Sequence, residues 1–241
     1  MLQAIAISGK MGFGKDYYAH HIKKTNPELK FQDVSFAYAL KSEVYDFIMD
    51  YRDFVYEYVE THRPKDYQEI KRKLSSKYNI EHNHVDYIIS VYEAMTDREK
   101  AYFDPHVLRT NNMRTILQYY GTNIRRSQHP DYWVDKAYDI IGKVNQEGKI
   151  AIVTDARFEN EIEMLNNKLN SLTIKLNLDL KSQQLRLKNR DGIQYSVAEL
   201  QHASETSLDS YYDFDLILSS YSELKDANLN LIKTFIKEKN K

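Results

Sequence analysis

Three of the chain's seven glycines, Gly9, Gly12 and Gly14, fall within six residues of one another, and Lys15 and Asp16 follow directly. Gly9-Lys10-Met11-Gly12-Phe13-Gly14-Lys15-Asp16 has the glycine and lysine spacing of a phosphate-cradling loop. In such a loop, main-chain N–H groups surround phosphate oxygens and the lysine meets the terminal phosphates. Asp16 stands where a hydroxyl residue commonly meets magnesium, and Tyr17 follows it. A carboxylate is a hard oxygen donor that can hold magnesium or its waters. This reading makes Gly9, Lys10, Gly12, Gly14, Lys15, Asp16 and Tyr17 candidates for binding ATP or GTP, with Mg2+ near Asp16. The alternative is a tight strand-to-helix turn in which Lys15 is a solvated charge.

Three other stretches could serve an acceptor of the phosphoryl group, and a fourth could close on the ATP. Ile150 to Thr154 reads as a buried strand running into Asp155, Arg157 and Glu161. Residues just past a strand's carboxyl end face the ligand crevice of a parallel sheet, which suits Asp155 as a magnesium-side carboxylate and Arg157 as a phosphate ligand. They could instead be a helix cap and, for Arg157 with Glu161, a surface ion pair. From Asn112 to Arg126, Met113, Ile116, Leu117, Tyr120 and Ile124 make an apolar side at helical spacing, with Arg114, Gln118, Gly121 and Arg125 along another. Arginine forks onto phosphate and glutamine meets a base edge, or the second line is an exposed polar face. Trp133, the sole tryptophan, is a core residue or a stacking platform. Arg186 and Arg190, four residues apart, belong to a basic segment at about 180–200 that could close as a lid and neutralise the migrating phosphoryl group, or lie on a solvated helix.

The elements needed to position these groups follow from hydrophobic patterning. Ala4 to Ile7 is a short apolar strand before the glycine loop, and Tyr18, Ala19 and Ile22 share a helical face after it. Leu172 to Leu176 and Phe214 to Leu218 read as further buried strands, with Phe31 to Phe36 a weaker one. Helical stretches between them imply an α/β fold with a parallel central sheet. From about 43 to 128 the pattern is helical, for example at Tyr87, Val91 and Ala94, which indicates a large helical insertion in a single domain spanning 1–241. With 34 basic and 35 acidic residues the chain lacks the basic excess of a nonspecific nucleic-acid or membrane-surface binder. The absence of cysteine excludes thiolate metal sites, disulfides and cysteine nucleophiles. The opening residues show neither a charged leader nor a long apolar run, so a cytoplasmic protein is expected.

Several of these separated motifs together resemble one family, the bacteriophage deoxynucleoside monophosphate kinases of T-even-type viruses. The matching pieces are Ser8-Gly9 with Gly14-Lys15-Asp16, Ala39-Leu40-Lys41, Arg114 with Leu117-Gln118 and Gly121-Thr122, and Tyr132-Trp133-Val134. They continue with Asp155, Arg157 and Glu161, and with His202, Ser204 and Glu205. The resemblance implies a three-layer P-loop kinase fold, ATP as donor with Mg2+, Asp16 as part of the loop, and acceptors such as dTMP or dGMP; Asp16 and, by its strand-end position, Asp155 are the candidate metal ligands. It also implies a homodimer in the host cytoplasm. Lys15, Arg186 and Arg190 would then be catalytic, and Lys41, Arg114, Gln118, Trp133, Asp155, Arg157 and Glu161 would bind the acceptor. Tyr17 replaces the family's Thr, and Met11 replaces a basic residue. Two other functions fit the loop: a P-loop kinase of a different small molecule, and a non-catalytic nucleotide-binding regulatory protein.

Overall fold

The computed structural model describes residues 1–60, 66–192 and 206–240. Five strands, β1 (Ala4–Ser8), β2 (Phe31–Val34), β3 (Ile150–Val153), β4 (Ser171–Asn177) and β5 (Leu216–Ser219), form one all-parallel sheet in the order β2-β3-β1-β4-β5. Helix α1 (Lys15–Thr25) joins β1 to β2, and the helical segment from α2 (Phe36–Glu60) to α7 (Tyr132–Gln146) lies between β2 and β3. Within it are α3 (Tyr67–Tyr78), α4 (His82–Glu93), α5 (Asp97–Ala101), α6 (Asn111–Gln118) and a π-helical turn at Tyr119–Arg126. Helix α8 (Glu159–Lys168) connects β3 to β4, α9 (Leu180–Asp191) follows β4, and α10 (Lys225–Lys239) follows β5. Among the described residues no helix is long and apolar enough to cross a membrane.

Packing separates two compact units: Met1–Phe36 with Val134–Lys241, and Ala37–Trp133. In the sheet unit, β1 is buried along its whole length, and its alternation assigns different side chains to the two faces. Ile5 and Ile7 join Ile152, Leu172 and Ile174 beneath α1 and α10, which contribute Tyr18, Ile22, Ile232 and Ile236. Ala4 and Ala6 join Ala151 and Val153 beneath α7 and α8, which contribute Val134, Ala137, Ile141, Ile162 and Leu165. Helices thus cover both sheet faces, and strands buried on both sides read as continuous apolar runs.

The helical unit has its own core. Val44, Phe47, Ile48 and Tyr51 of α2 meet Ile70 and Leu74 of α3, Val85, Ile88 and Ile89 of α4, and Met113 and Ile116 of α6. The buried line of α4 is therefore Val85, Ile88, Ile89 and Tyr92, not the predicted Tyr87, Val91 and Ala94. Tyr87 is 40% exposed and stacks on Tyr119, with ring centroids 4.0 Å apart. Predicted strand ends also move. Strand β2 stops at Val34 because Phe36 already begins α2, its N–H donating to the Asp155 carboxylate. Strand β5 begins at Leu216 and not Phe214, whose ring packs edge-on against Tyr211.

Candidate functional site at the carboxyl edge of the sheet

The glycine loop leaves the carboxyl end of central β1 and opens α1, with Gly14 at the helix N-cap. Two glycines are required by close approach. A Cβ at Gly9, where φ is 151°, would lie 3.0 Å from the Leu176 carbonyl oxygen of β4, and one at Gly12, where φ is 82°, would lie 3.0 Å from Leu187 Cδ2 of α9. The loop is thereby held between a strand and a helix. Lys15 curls back over it, its Nζ donating to the carbonyls of Gly9 at 2.6 Å and Lys10 at 3.1 Å. A cation and the positive end of a helix, set at a loop of main-chain N–H groups, form an arrangement suited to a polyphosphate. Asp16 is exposed in the first turn of α1.

The loops after the neighbouring strands converge here. Ser8 donates to the Ala156 carbonyl at 3.0 Å, tying the end of β1 to the segment after β3. Asp155 accepts from the Ser35 hydroxyl at 2.5 Å and the Phe36 N–H at 3.0 Å, so it braces the start of α2. Glu161 is buried, and its carboxylate accepts the main-chain N–H groups of Arg157 at 2.7 Å and Phe158 at 3.1 Å. Its clearest contribution is to fix the backbone carrying Arg157. Ser8, Gly9, Lys10, Arg157 and Lys175 line a small cavity of about 30 Å³. Beside it, Lys10, Phe13, Asn177, Asp179, Gln183 and Tyr221 line a cleft of about 360 Å³. Asp179 accepts from Ser182 and Tyr221, and those hydrogen bonds hold its carboxyl well below the usual range.

Helix α9 closes over the loop. Gln183 is buried and donates to the Met11 carbonyl at 2.8 Å, while Arg186 donates to the Ser220 hydroxyl at 3.2 Å and to the Ser220 carbonyl. Ser220 in turn donates to the Phe13 carbonyl. Arg190 is exposed one turn further on. The rest of the predicted lid beyond residue 192, with His202, Ser204 and Glu205, lies outside the described residues.

Neither a known family model nor a curated protein matches the chain. The functional reading therefore depends on the chemistry of the two units themselves. The sheet unit brings Gly9, Lys10, Gly12, Gly14, Lys15, Asp16, Tyr17, Asp155, Arg157, Glu161 and Arg186 to the loops at one edge or to the helices beginning there. Lys41, Arg114, Gln118 and Trp133 belong to the helical unit.

In that unit, Arg114 and Gln118 are exposed on α6 and Lys41 is half-buried on α2. Trp133 is 3% exposed, and its indole N–H donates to the Gly121 carbonyl at 3.1 Å, a core position. The line Arg114, Gln118, Gly121, Arg125 does not persist as one face, because the π-helical turn winds the chain inward after Gln118. Gly121 packs on Leu40, and Arg125 is buried against the Glu43 carboxylate, with Nε–O 3.1 Å. Among the described residues no group of three or more His, Cys, Asp or Glu side chains is arranged for a metal.

The sequence reading missed Gln183, Lys175, Asp209 and Ser220. Gln183 had a signal: it continues the Arg186, Leu187, Arg190 spacing back by one turn. Lys175 and Asp209 had none, since their pairing joins segments far apart in the chain.

Proposed function

We propose that the chain transfers the γ-phosphoryl group of ATP to a deoxynucleoside monophosphate. The observation that carries this reading is the glycine loop with Lys15, set between the central strand and α1 at the carboxyl edge of a β2-β3-β1-β4-β5 sheet. In open parallel sheets, ligands bind outside the carboxyl ends of strands where the connections diverge, and β1 lies at that point. The adjoining cleft of about 360 Å³ is within the size range of small-molecule sites.

In this reading the loop and Lys15 hold the donor triphosphate, and Arg157 holds the acceptor phosphate with its planar fork. An acceptor phosphate oxygen forms a bond to the γ-phosphorus as the bond to the β,γ-bridging oxygen breaks, and ADP leaves. A phosphate dianion needs no strong general base. The protein's work is positioning and neutralisation of the transferred charge, with Lys15 and Arg186 as the cations on the donor side. Magnesium commonly binds through one or two carboxylates plus substrate phosphates, and exposed Asp16 fits that donor set. Asp155 already braces Ser35 and Phe36 and would be the second carboxylate. The ion would supply further neutralisation of the phosphates. Arg114 and Gln118 are the exposed groups assigned to acceptor choice in the helical unit.

A coupled measurement of ADP formation across deoxy- and ribonucleoside monophosphates tests the proposal. Acceptor-dependent ADP formation favouring one or two deoxynucleotides is expected. ATP binding with no acceptor-dependent turnover would replace it with a regulatory role, and turnover with only a different small-molecule acceptor would replace the acceptor.

A further inference from the structure

Lys175 is an unusual residue for the middle of a parallel sheet. It lies on β4 with 7% exposure, and its ammonium donates to the main-chain carbonyls of Leu208 at 2.6 Å, Tyr211 at 2.8 Å and Asp209 at 3.3 Å. The rings of Tyr212 and Phe214 stand 4.9 and 5.8 Å from it. A buried ammonium is costly unless fully hydrogen-bonded, and burial here pushes Lys175 below its ordinary value. Its three acceptors all come from one segment, so the lysine fixes that segment's path over the end of β4. Ser207 donates to the Arg157 carbonyl, a further stitch. The result is that Asp209 is delivered to the glycine loop, its carboxylate 2.7 Å from Lys10 Nζ. Lys10 and Asp209 border both the small cavity and the larger cleft.

We propose that the Lys10–Asp209 pair is an anion-selecting latch, with Lys175 as its positioning residue: the Asp209 carboxylate neutralises the loop lysine until a polyphosphate displaces it. The inference rests on the glycine loop being an anion site, as in the proposed function, but not on phosphoryl transfer. An anion must both reach Lys10 and outcompete a tethered carboxylate, which disfavours small or singly charged anions. The pair is partly exposed, with side-chain exposures of 26% and 51%, so the latch is weak and easily opened.

The test is calorimetric binding of inorganic tripolyphosphate to the full chain. Asp209→Asn should tighten binding by about two- to fivefold, the range of an exposed ion pair. Asp213→Asn removes the same charge from an exposed position nearby and should leave affinity near wild type. In a Lys175→Met background, Asp209→Asn should no longer change affinity, because the carboxylate is no longer held on Lys10. Equal responses of wild type and Asp209→Asn, whether both bind or neither does, would overturn the latch. An equal gain from Asp213→Asn would overturn it too, reducing the effect to net charge. An Asp209→Asn gain that survives in the Lys175→Met background would remove Lys175 from the proposal. If these binding responses hold but no nucleoside monophosphate stimulates ADP formation, the kinase reading fails and the latch stands.

Discussion

In the proposed phosphoryl transfer Lys15 is the central cation, and its surroundings say what its removal does. Its ammonium bonds the carbonyls of Gly9 and Lys10 in its own loop, and its side chain fills no part of the hydrophobic clusters. Lys15→Ala therefore removes a positioned charge without leaving a core cavity. Turnover should fall by about a hundredfold or more, the scale of losing one charge-stabilising donor, while circular dichroism stays at wild type. A folded Lys15→Ala protein with normal turnover would dismiss the loop from catalysis. Glu161 calls for a different expectation. Because its buried carboxylate takes the N–H groups of Arg157 and Phe158, a neutral amide weakens two charge-assisted hydrogen bonds. Glu161→Gln should destabilise the fold by about 1–3 kcal/mol and raise the acceptor KM more than it lowers ATP affinity. Unchanged urea unfolding would show that the carboxylate does not hold this backbone.

Among elements, the π-helical turn at Tyr119–Arg126 organises the helical unit by turning a cation inward. Arg125, 6% exposed, donates to Glu43 through Nε, to the Tyr78 carbonyl at 2.8 Å through Nη1, and to the Tyr120 hydroxyl at 2.8 Å through Nη2. Glu43 also accepts from Tyr120 at 3.1 Å and Tyr132 at 2.6 Å. One carboxylate of α2 thus links the π-helical turn to the start of α7. Removing it strands a buried guanidinium, so Glu43→Ala should cost about 3–5 kcal/mol in urea denaturation followed by Trp133 emission. A loss below 1 kcal/mol would mean that Arg125 finds solvent or another partner. Sequence patterning could not foresee this node. Apolar strands such as Ala4-Ile5-Ala6-Ile7 announce themselves, because burial on both faces leaves no polar position. The α6 stripe was legible through Met113 and Ile116 for a different reason: one buried face repeats at helical spacing against an exposed polar one. The π-helical turn was not, since one inserted residue changes the phase and moves Gly121 and Arg125 from the polar line into the core. Asp155 was legible as a strand-end carboxylate, but its bonds to Ser35 and Phe36 join positions 120 and 119 residues apart, which no local spacing encodes.

Across the whole molecule the two units carry different proton-linked contributions to stability at alkaline pH. In the helical unit, burial pushes the phenols of Tyr51, Tyr78 and Tyr120 well above their ordinary value of 10.0. Hydrogen bonds to Glu93 and Asp50 add to this for Tyr51 and Tyr78, whereas the Arg125 cation opposes it at Tyr120. A folded state that holds these protons more tightly than the unfolded chain is favoured below pH 10 and loses that advantage as pH rises above it. Lys175 in the sheet unit has the opposite sign: its folded value lies below 10.5, so its contribution rises with pH towards that value. The sole tryptophan separates the two, because Trp133 is buried in the helical core and its emission maximum reports that environment. Urea midpoints followed by Trp133 emission should decline steadily from pH 10 to 11.5. Each retained phenol proton contributes a slope of about 1.4 kcal/mol per pH unit. Tyr51→Phe loses the hydrogen bond to Glu93, 2.7 Å in the wild type, and should be less stable at neutral pH. Its decline above pH 10 should nevertheless be shallower by about one phenol's share, because residue 51 no longer has a proton to lose. Parallel declines for wild type and Tyr51→Phe would mean that Tyr51 ionises in the folded state as readily as in the unfolded chain, and its buried bond to Glu93 would then not be holding the proton.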